Sequence, residues 1–246
     1  MIINLTEFHA QYGAGRPAIK GAYSDIYVKS EKEIPILTAL VDHFKCQRVL
    51  EIGVNTGATS AALLAGNAII KECIGVDLNK IWYVDEPAGH FALPDPRFRL
   101  IQYAGGLYDM KPADLAPVDF VFIDADHSYQ AIKYDTEFAR QALNPAGGVI
   151  AWHDYQHPTC PDVRKYIHEI NDQPGRPPIV WVQGTTICYQ IFDAVKTVKG
   201  NERLSIMKFA DACTPMRSAC IQLFCRLRVA VVASALWLKF MPVESR

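Results

Sequence analysis

The sequence lacks the marks of several protein classes. None of its seven cysteines forms a CxxC pair, their number is odd and their spacing is irregular. That excludes the usual zinc-ribbon and disulfide frameworks and predicts reduced, buried thiols, hence a cytoplasmic setting. The start, Met1-Ile-Ile-Asn-Leu-Thr-Glu7, has no basic stretch followed by an apolar one, so no signal peptide is expected. Neither sign of charge dominates. The net charge of −1 leaves no general electrostatic footprint for a nucleic-acid partner. No internal repeat and no low-complexity tract is present.

Long apolar runs are missing too. The longest in the tail, Val229–Leu238, is bounded by Arg228 and Lys239. It is too short for a spanning helix, which needs roughly 20 apolar residues. The tail, residues 196–246, has three readings: a helix packed on the domain or on a second subunit of a homodimer, a helix in contact with a membrane surface, or a segment with no evolved role. A loop-rich lead segment, residues 1–29, carries Tyr12, Tyr23 and Tyr27 among several glycines.

Between them, residues 30–195 read as one α/β domain. Half of the chain is hydrophobic, enough to bury a substantial core. Ser30-Glu-Lys-Glu33 has the form of a capping box, and Ile34, Leu37, Leu40, Val41 and Phe44 follow at helical spacing. Short apolar strands are predicted at 49–52, 73–77, 98–103, 119–124 and 149–153, with helices at 59–64 and from Tyr129 to Leu143. Continuous apolar strands alternating with helices predict a mostly parallel sheet covered on both faces. The runs 178–182 and 185–191, separated by Gln183-Gly184, predict a hairpin, so that the sheet ends with an antiparallel strand.

Two motifs point to a ligand. The first is Glu51-Ile-Gly53-Val-Asn55-Thr-Gly57, between a strand and a helix. Such a loop needs glycine where the chain turns sharply or approaches a ligand, and the next helix offers free N–H groups. The second is Asp77, at the end of the following strand, where an acid can accept from both ribose hydroxyls. A tight turn and a helix cap are the plain alternatives. The loop is not GxGxxG, which counts against a nicotinamide-dependent oxidoreductase on a true Rossmann fold.

A further group lies where the fourth and fifth strands end: Asp124-Ala-Asp126-His127-Ser-Tyr129 and Trp152-His153-Asp154-Tyr155. Ligands of open α/β sheets bind at the carboxyl ends of the strands, so both clusters share a rim with Gly53 and Asp77. Carboxylates and an imidazole there suit a divalent cation, Mg²⁺ or another, that lowers the pKa of a substrate hydroxyl. His127 is then the candidate base. The alternatives stay open: Asp126 as a cap for the helix beginning near Ser128, His127 as a satisfied rim histidine, His153 as a loop support, or a metal-free cluster in which Asp124 or His127 acts alone.

The stretch Val49-Leu-Glu-Ile-Gly-Val-Asn-Thr-Gly-Ala-Thr-Ser60 resembles the S-adenosylmethionine (SAM) motif of class I methyltransferases. It is most similar to the branch of caffeoyl-CoA and catechol O-methyltransferases and related sugar O-methyltransferases. The resemblance covers roughly 30–192 and implies a Rossmann-like class I fold ending in an antiparallel hairpin strand. It implies a cofactor site at Glu51, Gly53, Asn55, Gly57, Asp77, Leu78, Ala104 and Asp126. It implies metal ligation by Asp124, His153 and Asp154, and catalysis by His127 and Asp124. His127 stands where caffeoyl-CoA enzymes have lysine, and His153-Asp154 where they have Asp-Asn. The branch's Gly-Asp or Gly-Asn near the adenine is Tyr103-Ala104-Gly105-Gly106 here, a departure that makes the loop a candidate for backbone contact with the base. The expected reaction is O-methylation of a small hydroxylated acceptor: a sugar, phenol or natural-product intermediate. A non-catalytic SAM-binding protein is the remaining alternative.

Overall fold

A computed structural model describes residues 1–16, 32–78, 87–115 and 117–193. The tail and the predicted cap Ser30 lie outside them. One compact unit spans Met1–Lys196. No helix among the described residues is long and apolar enough to cross a membrane.

The chain runs β1 (Ile2–Ile3), α1 (Leu5–Tyr12), α2 (Glu33–His43), β2 (Arg48–Ile52), α3 (Ala58–Gly66), β3 (Glu72–Leu78), β4 (Phe98–Tyr103), β5 (Phe120–Ile123), α4 (Tyr129–Ala142), β6 (Gly147–Trp152), α5 (Pro161–Asn171), β7 (Ile179–Val182) and β8 (Cys188–Asp193). Two short 3₁₀ turns, Gly106–Asp109 and Pro112–Leu115, follow β4. The eight strands form one sheet in the order β1-β7-β8-β6-β5-β2-β3-β4. Strands β4, β3, β2, β5 and β6 are mutually parallel, and β8 is antiparallel to both β6 and β7. The predicted hairpin is present, with its antiparallel member inside the sheet. β7 and then β1 lie beyond it.

The lead segment is more ordered than its glycines suggest. β1 pairs with β7, and Asn4 caps α1 in a reciprocal capping box with Glu7. Phe8 and Tyr12 of α1 are buried against Tyr189. At α2 the expected box is replaced. Lys32 occupies the cap position without a side-chain bond, and Glu33 points elsewhere, as described below.

Alternation along the strands builds a core on each face of the sheet. Val49, Cys73, Phe120, Phe122 and Val149 face α1, α2 and α3. Leu50, Ile74, Val121, Ile150 and Trp152 face α4 and α5. Trp152 Nε1 donates to Thr136 Oγ1 at 2.9 Å, so the indole is buried with its polar atom satisfied.

The parallel ladder continues one residue past each central strand. Gly53 N donates to Val76 O, Asp124 N to Ile52 O and His153 N to Ile123 O. These bonds bring the strand ends level and put the first residue of each loop on one rim. Gly53 adopts φ +86°, and a Cβ there would lie 2.4 Å from Asp124 O. Gly57 adopts φ +83°, and a Cβ would meet Gly89 Cα at 2.7 Å. Both glycines are therefore required by backbone conformation and close approach. Gly53→Ala should cost at least about 2 kcal/mol, from left-handed strain and the displaced β5 end. Denaturant unfolding measures it, and an unchanged midpoint would show that the rim relaxes freely.

Candidate functional site

One cavity of about 870 Å³ opens along this rim. Its walls include Glu51, Gly53, Asn55, Asp77, Leu78 and, towards β5 and β6, Asp124, Asp126, His127, His153 and Asp154. Two of the cofactor residues expected from the sequence are not in its wall: Gly57, which serves the contact with Gly89, and Ala104, whose neighbours Gly105–Tyr108 line the cavity instead.

At the glycine-loop end, Asp77 Oδ2 accepts from Asn55 N and its Oδ1 from Leu78 N, both at 2.6 Å. The carboxylate is thus fixed by backbone amides, and each oxygen keeps a further lone pair for a ligand. Asn55 holds φ +51°, a left-handed conformation that asparagine tolerates better than most residues. Glu51 is 1% exposed, and Ser60 Oγ donates to its Oε2. It anchors α3 beneath the loop.

At the other end, His153 is the hub. Its Nδ1 lies 2.9 Å from Asp124 Oδ1 and 3.0 Å from Asp154 Oδ2. Its Nε2 lies 3.3 Å from Glu33 Oε2. Glu33 Oε1 in turn accepts from Thr186 N at 2.8 Å and from Thr186 Oγ1 at 2.9 Å. His127 Nε2 is 2.7 Å from Asp154 Oδ2. Asp154 adopts φ +57°, a strained conformation for aspartate that aims its carboxylate between the two imidazoles.

The charges follow from this geometry. Burial disfavours charge on His153, but Asp124, Asp154 and Glu33 outweigh it and hold the imidazole well above its usual pKa. Burial likewise opposes ionisation of Asp154, and the neighbouring His127 and His153 imidazoles override that, keeping the carboxyl far below the usual range. Glu33 is lowered in the same way: burial opposes its charge, while His153 and Thr186 favour it. His127 is raised, chiefly by its bond to Asp154.

The residues fit a divalent cation. One donor atom from each of Asp124, His153 and Asp154 can lie within 4.8 Å of the others. The buried Nδ1 of His153 makes no directed hydrogen bond, although two carboxylate oxygens stand near it. That is the arrangement of an imidazole whose lone pair faces a cation while a carboxylate holds its other nitrogen. A second triad, His127, Asp154 and Cys160, shares Asp154.

Asp126 Oδ1 accepts from Ser128 N at 2.7 Å and shapes the turn into α4 while also lining the cavity. Ser128, with its side chain accepting from Ala131 N, is the actual cap. Sequence reasoning missed Glu33, Thr186, Cys160 and Asp135. Glu33 looked like a capping residue, and only the tertiary fold carries α2 and the β7–β8 loop to His153.

Residues 50–155 match a family model described as a methyltransferase domain. No curated protein matches the chain. Among solved structures, cofactor-bound Rv0187 from MTB is 18% identical, with a TM-score of 0.51 over 77% of this chain and 88% of that one. The O-methyltransferase TomG from Streptomyces achromogenes, solved with SAM, is 19% identical, with a TM-score of 0.51 over 78% and 88%. The fold is that of a class I methyltransferase, and the family match places the methyltransferase domain on the residues from β2 to the rim after β6. Residues 50–155 thus carry a methyltransferase domain, on a fold shared with these solved structures.

Removing the carboxylate of Glu33 leaves two donors of Thr186 and the His153 imidazole without their acceptor. Glu33→Ala should therefore cost roughly 2–4 kcal/mol, read from denaturant midpoints of the metal-free protein. A midpoint within error of the wild type would sink the hub role.

Proposed function

We propose that this protein transfers the methyl group of SAM to a hydroxyl of a small acceptor, with a divalent cation held by Asp124, His153 and Asp154. The observation that carries this is the joining, in one cavity, of the backbone-fixed Asp77 carboxylate with the Asp124–His153–Asp154 group. The first suits a ribose. The second suits an oxygen acceptor that must lose a proton. The relatives in fold support both halves, since TomG is an O-methyltransferase bound to SAM.

Asp77 would take the ribose hydroxyls on its remaining lone pairs. The turn at Gly53–Asn55 would bring backbone close to the cofactor. The cation, when bound, supplies Lewis acidity that favours the ionised acceptor oxygen. The chain's own residues do the rest. Asp154 accepts from His127 Nε2–H, so in the neutral ring the lone pair is on Nδ1, the atom that takes the acceptor's proton. The acceptor oxygen then forms its bond to the methyl carbon as the carbon–sulfur bond breaks. The electron pair passes to sulfur, giving S-adenosylhomocysteine and a methyl ether. Placement of donor and acceptor in line is the main contribution of the cavity walls.

The nicotinamide alternative finds no support in the loop Gly53-Val-Asn-Thr-Gly57. Four buried free thiols, Cys46, Cys73, Cys160 and Cys188, support a reducing compartment such as the cytoplasm.

Two substitutions divide the proposal. Asp77→Ala should weaken SAM binding about tenfold or more, the scale of lost charge-assisted hydrogen bonds, with the melting curve retained. Calorimetry giving wild-type affinity would remove the ribose assignment. Asp154→Ala should abolish turnover that EDTA inhibits in the wild type, while SAM still binds. The assay is a screen of hydroxylated acceptors with methyl-labelled SAM, with and without EDTA. Activity indifferent to chelator would leave His127 as a lone base and remove the cation.

A further inference from the structure

One group in the cavity is explained by neither the ribose nor the transfer chemistry. Asp135, in the second turn of α4, is only 4% exposed, yet it is part of the cavity wall. It makes no hydrogen bond or ion pair with any described residue. A buried carboxyl without a partner costs free energy, and its side chain shares a helix face with two other cavity residues, Ser128 and Ala131. Side chains on a helix lean towards its N-terminus, so this face directs Asp135 back towards the rim.

The position along the rim narrows the ligand. Acceptor chemistry sits at the ends of β5 and β6, and the ribose acid at the end of β3. The segment after β4 packs beside this part of α4: Tyr134 stacks on Tyr108 with ring centroids 4.1 Å apart, and Tyr108, Leu107 and Asp135 line the same cavity. A nucleoside whose ribose rests on Asp77 and whose sulfonium rests by Asp124 has only this end left for its base. The loop there, Tyr103-Ala104-Gly105-Gly106, offers no polar side chain except the exposed phenol of Tyr103. Asp109, the nearest acid, is committed to Gly105 N at 2.7 Å.

We infer that Asp135 reads the adenine of the cofactor, its carboxyl accepting a hydrogen bond from the exocyclic amino group. The inference rests on the SAM reading above. Burial, with Asp126 facing it, pushes Asp135 up to about 7. Burial thus favours the carboxylic acid form. That form can donate to a ring nitrogen while it accepts from the amino group, the two-point match that an amide side chain also makes with adenine.

The test is calorimetry on the full-length protein with S-adenosylhomocysteine and with its analogue lacking the exocyclic amino group. The wild type should prefer the adenosyl ligand about tenfold or more. Asp135→Leu should bind both equally and weakly, and should melt no lower than the wild type, because an unpartnered carboxyl has gone. Asp135→Asn should keep the preference. Equal wild-type affinity for the two ligands overturns the inference without any variant. So does an Asp135→Leu protein that keeps the wild-type preference. If the wild type binds neither ligand, the SAM reading falls and takes this inference with it. Tight binding of S-adenosylhomocysteine without discrimination at the amino group overturns the role of Asp135 alone.

Discussion

Three carboxylates converge on the imidazole of His153, and the acidic half of the cavity is organised around that contact. Asp124 and Asp154 stand at Nδ1 and Glu33 at Nε2. Like charges so close together need positive charge between them. A protonated imidazole supplies it in the metal-free protein. A divalent cation suits the same place, because the orientation imposed by Glu33 leaves Nδ1 aimed between two hard oxygen donors. The contact also ties together distant parts of the chain: Glu33 begins α2, His153 follows β6, and Thr186 lies in the loop between β7 and β8.

The rest of the cavity is built by a different force. Backbone hydrogen bonds that extend the parallel ladder one residue past β2, β5 and β6 set Gly53, Asp124 and His153 level on one rim. Asp77 is then locked by amides of its own strand end and of the glycine loop. A rigid ladder thus positions the ligand groups, and Asn55 and Asp154 hold left-handed conformations at the two ends of the site. The methyl donor and the acceptor are proposed to meet between these ends.

Much of this was legible in the residues themselves. The strand pattern gave five parallel strands and a hairpin at nearly the observed bounds, because continuous apolar runs between helical segments have few other solutions. The rim positions of Asp77, Asp124 and His153 followed from the rule that open α/β sheets bind at their carboxyl ends. Other features were hidden by local resemblance. Ser30 and Glu33 have the spacing of a capping box, and the spacing carries no sign that the acid is buried against another element. The glycines of the first residues suggested loop, yet Asn4 and Glu7 cap a helix there and Phe8 and Tyr12 anchor it.

By itself, then, the order of residues determined the layered α/β architecture, the glycine turn and the identity of the rim acids, since each depends on short-range periodicity or on backbone freedom at one position. Tertiary structure alone decided that Glu33 orients His153, that Gly57 packs against a neighbouring loop outside the cavity wall, and that Asp135 is left in that wall without a partner. Those outcomes depend on which distant segments are packed together, and no local pattern encodes the distance between side chains that only the folded sheet brings into contact.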